Sequence, residues 1–562
     1  MKIWSLGVGI SLLFLLQSCA VQSTKNASPT FREAFFADEE AIADFLNKGM
    51  PQPSLALNEG WIFSGKDSLP GISRSFSTDV QGESIQLPHR ITFANHSFWY
   101  HKIVDLEEGI LALDADDGVQ LWIDGKQIKR MEGGDFFQVA AKKDASVTIR
   151  VVNNAMAGGL QKVGWMSTQE FLNWKNQRSA IRAEALQLRK KQLLTIDQQQ
   201  QAVSSPSLEN ELAQLPILMT SPVLVLGSDQ SYFLRWVSEK AGEATLRFSQ
   251  GKEVKLTSAT GIFTLPISGD VEFELWQEKA YQGKFTFSIP QWGKKIKLAI
   301  WADSQGGWKR FDRFTKLIHE NQVDLSIGAG DLVNNGSEED AYPRFLQKLS
   351  QMNAAQLLVP GNHDYDGYYD DLNPEQLQQY LFRENEPRYG FQQVGPVGVL
   401  TLDPSENFPV SIAETSEQGK FLHSVLNSES WNNSSWKMVV LHQPPYSQGW
   451  PGYHGEESIR VLLEPYFHAG KIDLVIAGHT HDYERLTKEF SGNQVHFFIV
   501  GGAGGGMEPE GKMSEYPIMD RLIKKHHVAI AEVTGTEFAV RILGSNGELL
   551  DQLRLTKMGS EK

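Results

Sequence analysis

The sequence predicts a chain of several domains, with an α/β region at its carboxyl end and two β-rich regions before it. A length of 562 residues is too great for a single hydrophobic core. After residue 294, short apolar runs alternate with helical patterns, as they do in an α/β sheet. Residues 57–167 and 215–293 instead carry closely spaced short β runs, which are typical of β-sandwiches.

Residues 1–19 resemble a secretory signal peptide, with a basic start, an apolar run over 3–16 and small residues after it. The run is too short to span a bilayer comfortably. The segment is also similar to a bacterial lipobox, which implies that Cys19, the single cysteine, becomes a lipidated first residue. Export across the inner membrane and a lipid anchor in the bacterial cell envelope, in the periplasm or at the outer membrane, are then expected. Because Gln17 departs from the usual small residue, an ordinary signal peptide with an incidental cysteine is the alternative.

Residues 20–56 predict a polar tether and an N-terminal helix, and residues 57–167 predict an all-β domain. The run over 119–123 ends in Asp-Gly, a strong hairpin pattern. With Leu-Pro-His-Arg at 87–90 and Phe-Trp-Tyr at 98–100, this domain resembles the galactose-binding-like jelly rolls beside many glycoside hydrolases. The resemblance implies glycan contact through Trp99 or Trp122, whereas the more common place of such aromatic residues is the sandwich core.

Three further regions complete the predicted organisation. Residues 168–214 are rich in good helix formers and predict a helical linker. Residues 215–293 predict a fibronectin/Ig-like β-sandwich. Residues 294–562 form the α/β region.

Five apolar runs of the α/β region each lead to a side chain that can bind a metal ion. In such sheets, ligands gather at the carboxyl ends of the strands, so these side chains are expected to meet. They are Asp303, Asp331, Asn362, His442, and the pair His479 and His481. The last two are at i and i+2, so both rings can point the same way from an extended turn. The sequence therefore predicts a centre for two metal ions.

This pattern resembles the calcineurin-like metallophosphoesterases, whose motifs run Asp-x-His, Gly-Asp, Gly-Asn-His-Asp/Glu, a lone His and Gly-His-x-His. Three features are similar to the purple acid phosphatase branch: Tyr-Glu-Arg at 483–485, His-Gln-Pro-Pro-Tyr at 442–446, and Tyr-Gly-Phe at 389–391. The resemblance covers about residues 215–556. It implies a four-layer αββα sandwich of two mixed sheets with helices outside, as the catalytic domain over 294–562.

The resemblance also implies a ligand set for two divalent or mixed-valence transition-metal ions. Asp331 would bridge them at the ~3.5–4 Å separation of two-metal hydrolysis. One ion would be completed by Asn362, His442 and His479, and the other by Asp303 and His481.

In the family, a metal-bound hydroxide attacks phosphorus in line. The resemblance implies that His363 contacts the phosphate or protonates the leaving oxygen. Asp364 is expected to orient that ring and keep it protonated. Asn334 is expected to meet charge on the phosphoryl oxygens. Two other residues are candidates for substrate contact: His454 could line the pocket, and Tyr365 could either stack on a leaving group or pack within an aromatic loop.

Two residues depart from the family pattern. Gln305 stands where the family has the His of Asp-x-His, and its amide oxygen could be a weak metal ligand. Asn334 stands where the purple branch has its colour-giving Tyr. Without that phenolate a ferric site loses its main anchor, so the metals are open among Mn, Fe and Zn.

Composition limits the partners. The net charge of -15 is unfavourable for polymeric nucleic acid, which is bound through its phosphates, but metal ions can still attract a small phosphate ester. The expected activity is phosphomonoester hydrolysis. A phosphodiesterase or nucleotide pyrophosphatase is the alternative that Gln305 suggests, and a surface glycan-binding protein with an inactive phosphatase domain is the alternative from another class.

Overall fold

The computed structural model describes residues 53–67, 81–93, 95–115, 118–131, 133–153, 158–201, 216–278, 280–365, 374–507 and 509–557. The signal segment with Cys19, residues 20–52 and linker residues 202–214 lie outside them. Within the described part of the chain, no helix combines the length and the apolar character needed to cross a bilayer.

Two antiparallel sheets form an N-terminal sandwich. Their strands are β1 (Leu55–Ala56), β2 (Trp61–Asp67), β3 (Glu83–Ile85), β4 (His96–Leu106), β5 (Gly109–Ala115), β6 (Val119–Ile123), β7 (Lys126–Ile128), β8 (Phe136–Val139), β9 (Lys142–Asn153) and β10 (Leu160–Met166). One sheet has the order β3-β2-β4-β9-β6-β7, and the other has the order β1-β10-β5-β8. Tyr100, Leu111 and Ile149 belong to one core that both sheets share.

The predicted hairpin in this sandwich is confirmed. Asp124 and Gly125 have φ values of 49° and 76° and connect β6 to β7, as a turn with two positive φ angles does. The glycan interpretation of Trp122 is wrong, because this side chain is 4% exposed and its ring lies 5.2 Å from that of half-buried Trp99. The jelly-roll class of the domain stays a prediction.

The predicted connecting helix is confirmed as α1 (Thr168–Gln201). The next strands are β11 (Leu218–Leu226), β12 (Tyr232–Ser238), β13 (Gly242–Phe248), β14 (Glu253–Ser258), β15 (Ile262–Ile267), β16 (Val271–Gln277) and β17 (Ala280–Phe287). Strands β14-β13-β16-β17 form a separate sheet, whereas β15-β12-β11 extend a larger one.

The α/β region supplies the remaining elements. Its strands are β18 (Lys295–Trp301), β19 (Leu325–Ala329), β20 (Ala355–Val359), β21 (Gly390–Val394), β22 (Val397–Thr401), β23 (Trp436–Val440), β24 (Leu474–Ala477), β25 (Tyr483–Phe490), β26 (Asn493–Val500), β27 (Arg521–Ile523), β28 (His527–Thr534), β29 (Glu537–Gly544) and β30 (Leu549–Thr556). Its helices are α2 (Trp308–Glu320), α3 (Ala341–Leu349), α4 (Glu375–Leu381), α5 (Glu417–Asn427), α6 (Glu429–Asn433) and α7 (Glu457–His468), with 3-10 turns at Asn362–Asp364 and Pro404–Glu406.

Two mixed sheets face each other in this region. The first has the order β15-β12-β11-β20-β19-β18-β28-β29-β30, and the second has the order β21-β22-β23-β24-β26-β25-β27. Strand β11 pairs in parallel with β20 through Val225 and Gln356, so the sheet crosses the predicted domain boundary at residue 293.

Alternation along the strands builds the layers. In β18, Ile300 belongs to the core between the two sheets, while its neighbour Trp301 packs with Phe311 of α2 on the outer side. In the second sheet, Val439 belongs to a core that includes Leu463 of α7. The order of layers is therefore helix, sheet, sheet, helix.

Candidate metal centre

The predicted metal-binding side chains follow the carboxyl ends of neighbouring parallel strands. Strands β18, β19 and β20 are parallel neighbours in the first sheet, and β22, β23 and β24 are parallel neighbours in the second. Asp303, Asp331 and Asn362 come just after the three strands of the first set, and His442 and His479 come just after β23 and β24. The site lies where the carboxyl ends of the strands of the two sheets meet.

Two groups of ligand atoms share one carboxylate. Atoms of Asp331, His442 and His479 lie within 4.8 Å of one another, and so do atoms of Asp303, Asp331 and His481. Asp303 and Asp331 are at most 1% exposed. Carboxylates this deeply buried need a compensating positive charge, and Asp331 is placed to serve two ions.

The histidine tautomers suit metal binding. The Nδ1 atom of His442 is 2.9 Å from the carbonyl of Ala329, and that of His481 is 2.6 Å from the carbonyl of Gly506. A ring that donates from Nδ1 offers Nε2 as the ligand. Accordingly, His442 Nε2 lies 3.1 Å from Asp331 Oδ2, and His481 Nε2 lies 3.5 Å from Asp303 Oδ1.

His479 gives the clearest sign that an ion fits. Its buried Nε2 has no hydrogen-bond partner among the described residues, while its backbone N–H donates to Asp303. Buried polar atoms are normally paired, so an orphaned nitrogen on a ring that is grouped with the Asp331 carboxylate marks a place for a cation. The donor set of carboxylate oxygens and imidazole nitrogens suits transition metals.

The backbone around the site is strained in a way that brings the ligands together. Asp303, Gln305, Asp331 and His479 have φ values of 60°, 34°, 51° and 74°, in the left-handed region that non-glycine residues rarely adopt. Such conformations persist where the surrounding structure enforces them, commonly at functional sites.

Glycines allow the chain to pass close to the ligands. A Cβ on Gly361 would lie 2.2 Å from Asp331 Oδ1, and one on Gly478 would lie 2.4 Å from Asp303 Oδ2. In the run at 501–506, a Cβ on Gly501 would lie 2.9 Å from Asp303 Oδ2. The run therefore lets the backbone approach the site closely.

The titratable groups are strongly coupled. Burial lowers the pKa of His442, but the carboxylates of Asp331 and Asp303 outweigh it and raise the pKa to about 9. Burial raises the pKa of Asp303, and for Asp331 the effect of burial is overcome by His442 and His363, so that its pKa is lowered. Burial and the neighbouring His442 lower the pKa of His479. The carboxylates thus attract positive charge, which either a proton or a metal can supply.

The two amide side chains of the site occupy different positions. Asn362 is 1% exposed, and its Oδ1 accepts from Gln443 Nε2 at 3.4 Å. Gln305 Nε2 donates to Asp331 Oδ2 at 2.7 Å. As placed, Gln305 supports the shared carboxylate through its nitrogen, whereas its expected role as an oxygen ligand needs the opposite end of the amide.

The hydrogen bonds of Asp364 and of the His363 ring go to different partners. Both carboxylate oxygens of Asp364 bind backbone N–H groups, those of Leu332, Val333 and Gly361, and so hold the loops after β19 and β20 together. The His363 ring is held instead through Nδ1, 2.7 Å from the Asn334 carbonyl. Its Nε2 lies 4.0 Å from Asp331 Oδ2, and the side chain is 22% exposed. His363 therefore borders the site.

Each of the three predicted substrate-contact residues has a partner within the protein. The Asn334 amide donates to Glu338 at 2.7 Å. His454 stacks on Tyr516, with ring centroids 3.9 Å apart. Tyr365 is 1% exposed and bonds through its hydroxyl to Asp403. A buried phenol cannot stack on a leaving group, so for Tyr365 the packed-loop alternative is the one observed.

Two aromatic residues of the loop that carries His454 contact the metal centre. The rings of Trp450 and Tyr453 lie 4.9 and 5.6 Å from that of His479. Buried Glu484 holds their loop by accepting the N–H groups of Gln448 and Gly449. The proximity of this loop to His442 in sequence was the available clue, and it could not say which side chains point inward.

Comparison with known proteins agrees with this geometry. Residues 296–483 match the family model described as calcineurin-like phosphoesterase. The chain is 29% identical over 168 residues to phosphoenolpyruvate phosphatase of Allium cepa, covering 29% of this chain and 34% of that protein. It is 26% identical over 204 residues to Fe(3+)-Zn(2+) purple acid phosphatase 12 of Arabidopsis thaliana, covering 33% and 43%.

A purple acid phosphatase structure from yellow lupin (Lupinus luteus) seeds shows 11% identity over 82% of this chain and 92% of that one, with a TM-score of 0.48. The family match covers residues 296–483, which contain the shared carboxylate and the histidines around it. This part of the chain is therefore similar to the calcineurin-like phosphoesterases, and the curated relatives include purple acid phosphatases, of which the chain spans less than two thirds.

Proposed function

We propose that the chain is a secreted phosphoric ester hydrolase that acts on phosphomonoesters at a binuclear metal centre. The observation that carries this proposal is that Asp331 belongs to both groups of ligand atoms. One carboxylate with two oxygens can hold two ions in the arrangement used for phosphate ester hydrolysis.

The residues present fit two ions. With Asp331 shared, His442, His479 and Asn362 would hold one ion, and Asp303 and His481 would hold the other. When bound, these ions supply Lewis acidity toward a phosphoryl group. The metals named for a relative are Fe(3+) and Zn(2+), and the predicted alternatives for this chain include Mn.

His363 has the position of a substrate contact. Its Nδ1 lies 2.7 Å from the Asn334 carbonyl and donates to it, so a protonated ring can donate from Nε2 into the site. From there it would stabilise phosphoryl charge or pass a proton to the leaving oxygen. The side-chain amide of Asn334 bonds to Glu338, so the contribution of Asn334 would be its backbone carbonyl, which fixes the His363 ring.

The wall around His479 supports monoesters. Trp450 and Tyr453 are 6% and 2% exposed and occupy the space beside this ligand. A diester or pyrophosphate carries a second substituent that needs room next to the metals. On this side the aromatic wall takes that room.

The test is a panel at equal concentration: an aryl phosphate, a nucleoside monophosphate, a bis-aryl phosphate, ADP-ribose and a CDP-alcohol. Monoesters should show kcat/KM at least about tenfold above the others, a transition-state preference of ~1.4 kcal/mol. A diester or pyrophosphate that leads by this margin would replace the proposal with the phosphodiesterase or pyrophosphatase alternative.

We also propose export and lipid anchoring through Cys19. The support is the sequence alone: a basic start, a short apolar run and a cysteine at the predicted cut. Cys19→Ala removes the residue that would carry the acyl chains, and several such chains together attach a protein firmly. The variant should therefore move from the membrane fraction to the soluble fraction. The proposal fails if labelled fatty acid is never incorporated into the wild-type chain.

A further inference from the structure

The N-terminal sandwich reaches the α/β region close to the metal centre. Asn95, in the loop before β4, donates from Nδ2 to Glu456 Oε2 at 2.7 Å. Its loop is fixed in the sandwich by a bond from Asn153 Nδ2 to the Phe93 carbonyl at 2.8 Å. The neighbouring Val152 is 1% exposed and belongs to the same hydrophobic core as Leu441, the residue before the ligand His442.

Glu456 connects this contact to the wall of the site. Its carboxylate is 2% exposed, and its second oxygen accepts from the Tyr453 hydroxyl at 2.9 Å. Its backbone N–H donates to the carbonyl of Pro444 at 2.8 Å, two residues after His442. The carboxylate therefore accepts a hydrogen bond from each of these two regions of the chain.

Tyr453 completes the connection. Its ring lies 5.6 Å from the ring of His479 and 5.5 Å from that of Trp450. Since His479 Nε2 lacks a hydrogen-bond partner, the rings packed against it contribute to fixing its direction. A path of direct contacts leads from Asn95 through Glu456 and Tyr453 to a metal-binding ring.

The backbone at Asn95 explains why an asparagine stands there. Its φ is 55°, in the left-handed region that asparagine enters more readily than most residues. Glycine would accept this conformation but has no amide. The residue type thus combines the turn with a donor for Glu456.

We propose that Asn95 is a positioning residue, through which the N-terminal sandwich holds Tyr453 against His479 and so forms part of the support of the metal centre. The activity arm of its test rests on the proposed hydrolase function. The metal-affinity arm does not, because zinc binding can be measured without turnover.

The test uses the full chain with Asn95→Gly, which keeps the turn and removes the amide. Zinc affinity, measured by competition with a fluorescent chelator, should fall about threefold to tenfold, less than the 10–100-fold typical when a residue that bonds a ligand directly is lost. With a small monoester, kcat should fall more than KM changes, because His479 would be misplaced while the phosphate contacts remain.

Asn58→Ala is the matched control. Asn58 Oδ1 accepts the N–H of Val163 at 3.1 Å, so among the described residues this side-chain bond lies within the sandwich. This variant should lower the melting temperature while leaving zinc affinity and kcat unchanged. If it lowers zinc affinity as much as Asn95→Gly does, or if Asn95→Gly binds zinc like the wild type, the proposal is overturned.

A double-mutant cycle with Tyr453→Phe tests the path. The phenylalanine lacks the hydroxyl that bonds Glu456, so losses along one path should not add. The double variant should therefore bind zinc about as weakly as Tyr453→Phe alone. Additive losses would show that Asn95 acts by another route and would overturn the assignment. If zinc affinity behaves as expected but no phosphate ester is hydrolysed by the wild type, only the proposed activity fails.

Discussion

The N-terminal sandwich and the α/β region both bury polar side chains, but their surroundings differ. In the sandwich, the guanidinium of Arg150 is 1% exposed and donates to Gln120 and Ser97 on the adjacent strands. In the described part of the α/β region, buried His479 Nε2 has no hydrogen-bond partner although its residue is grouped with the Asp331 carboxylate. Pairing across adjacent strands indicates a structural role, whereas convergence of ligand atoms from separate loops indicates a cation site.

The largest expected effect tests the shared carboxylate. Asp331→Ala removes the one residue common to both ligand groups. It should lose both metal ions and reduce kcat/KM by more than ~10³-fold. Elemental analysis and turnover of an aryl phosphate provide the measurement. A variant that keeps two tightly held ions and wild-type turnover would show that Asp331 is not the bridge.

Arg150→Met is the matched change in the sandwich. It removes a buried charge together with its bonds to Gln120 and Ser97, so it should alter stability rather than chemistry. Its kcat and metal content, measured on folded protein, should match the wild type. If this variant lost metal, the structural role assigned to Arg150 would be contradicted, and the two regions would not differ in the way described.

The next effect concerns space at the metal centre. A Cβ at Gly361 would lie 2.2 Å from Asp331 Oδ1, whereas one at Gly506 has no heavy atom within 4 Å. Gly361→Ala must displace the shared carboxylate, and a shift of about 1 Å can cost about 100-fold in rate. Gly506→Ala should stay within about twofold of the wild type. Equal kinetics of the two variants, measured as kcat/KM, would contradict the tight packing at residue 361.

The contrast also explains what the sequence could predict. Apolar runs with polar ends are local patterns, so β18, β19, β20, β23 and β24 and the ligand candidates after them were accessible from sequence. Convergence then followed from the general position of sites in α/β sheets. The pairing of Val225 with Gln356 joins two predicted domains in one sheet, and no local sequence pattern predicts it.

Side-chain partners were the harder part. Asp364 follows His363 directly, and their adjacency suggested a contact between the two side chains. In a 3-10 turn that carboxylate instead meets backbone N–H groups of two loops. The contact from Asn95 to Glu456 joins residues 361 positions apart. Such contacts depend on how folded elements pack, which residue spacing does not encode.

A smaller expected effect concerns two buried histidines, one in each region, which should respond to pH in the same way. Burial lowers the pKa of His527 in β28 to about 4, and it also lowers the pKa of His101 in β4 to about 4. An unfolded histidine takes up a proton near pH 6.5, whereas these folded ones do not until about pH 4. The unfolded state therefore binds more protons in this window, so stability is full above pH 6.5 and declines as the pH falls toward 4.

For His527, this loss should reach about 3 kcal/mol. Chemical denaturation of metal-free wild type and His527→Leu at pH 7 and pH 4.5 isolates it, because the difference between the two pH values should shrink in the variant. Metal removal by a chelator prevents acid release of the ions from entering the comparison. An unchanged difference would mean that the His527 ring is already charged in the folded protein.

The smallest effect concerns Gln305, which could act either as a paired polar residue or as a metal ligand. As a hydrogen-bond donor to Asp331 Oδ2 at 2.7 Å, it resembles the paired groups of the sandwich. As an oxygen ligand, it would belong to the residues that hold the metal ions.

Gln305→Ala removes one charge-assisted bond and should reduce kcat/KM about tenfold in either role, so it cannot separate them. Gln305→Glu can, because it loses the donor and gains a ligand oxygen. If the amide acts as a donor, the new carboxylate repels Asp331, and kcat/KM should fall below that of Gln305→Ala while zinc binds no more tightly than in the wild type. If the amide is a ligand, zinc affinity should rise above the wild-type value, because a carboxylate binds a divalent ion more strongly than a neutral amide does. The geometry of the Gln305 amide favours the first outcome, in which the residue serves the metal centre by holding its shared carboxylate.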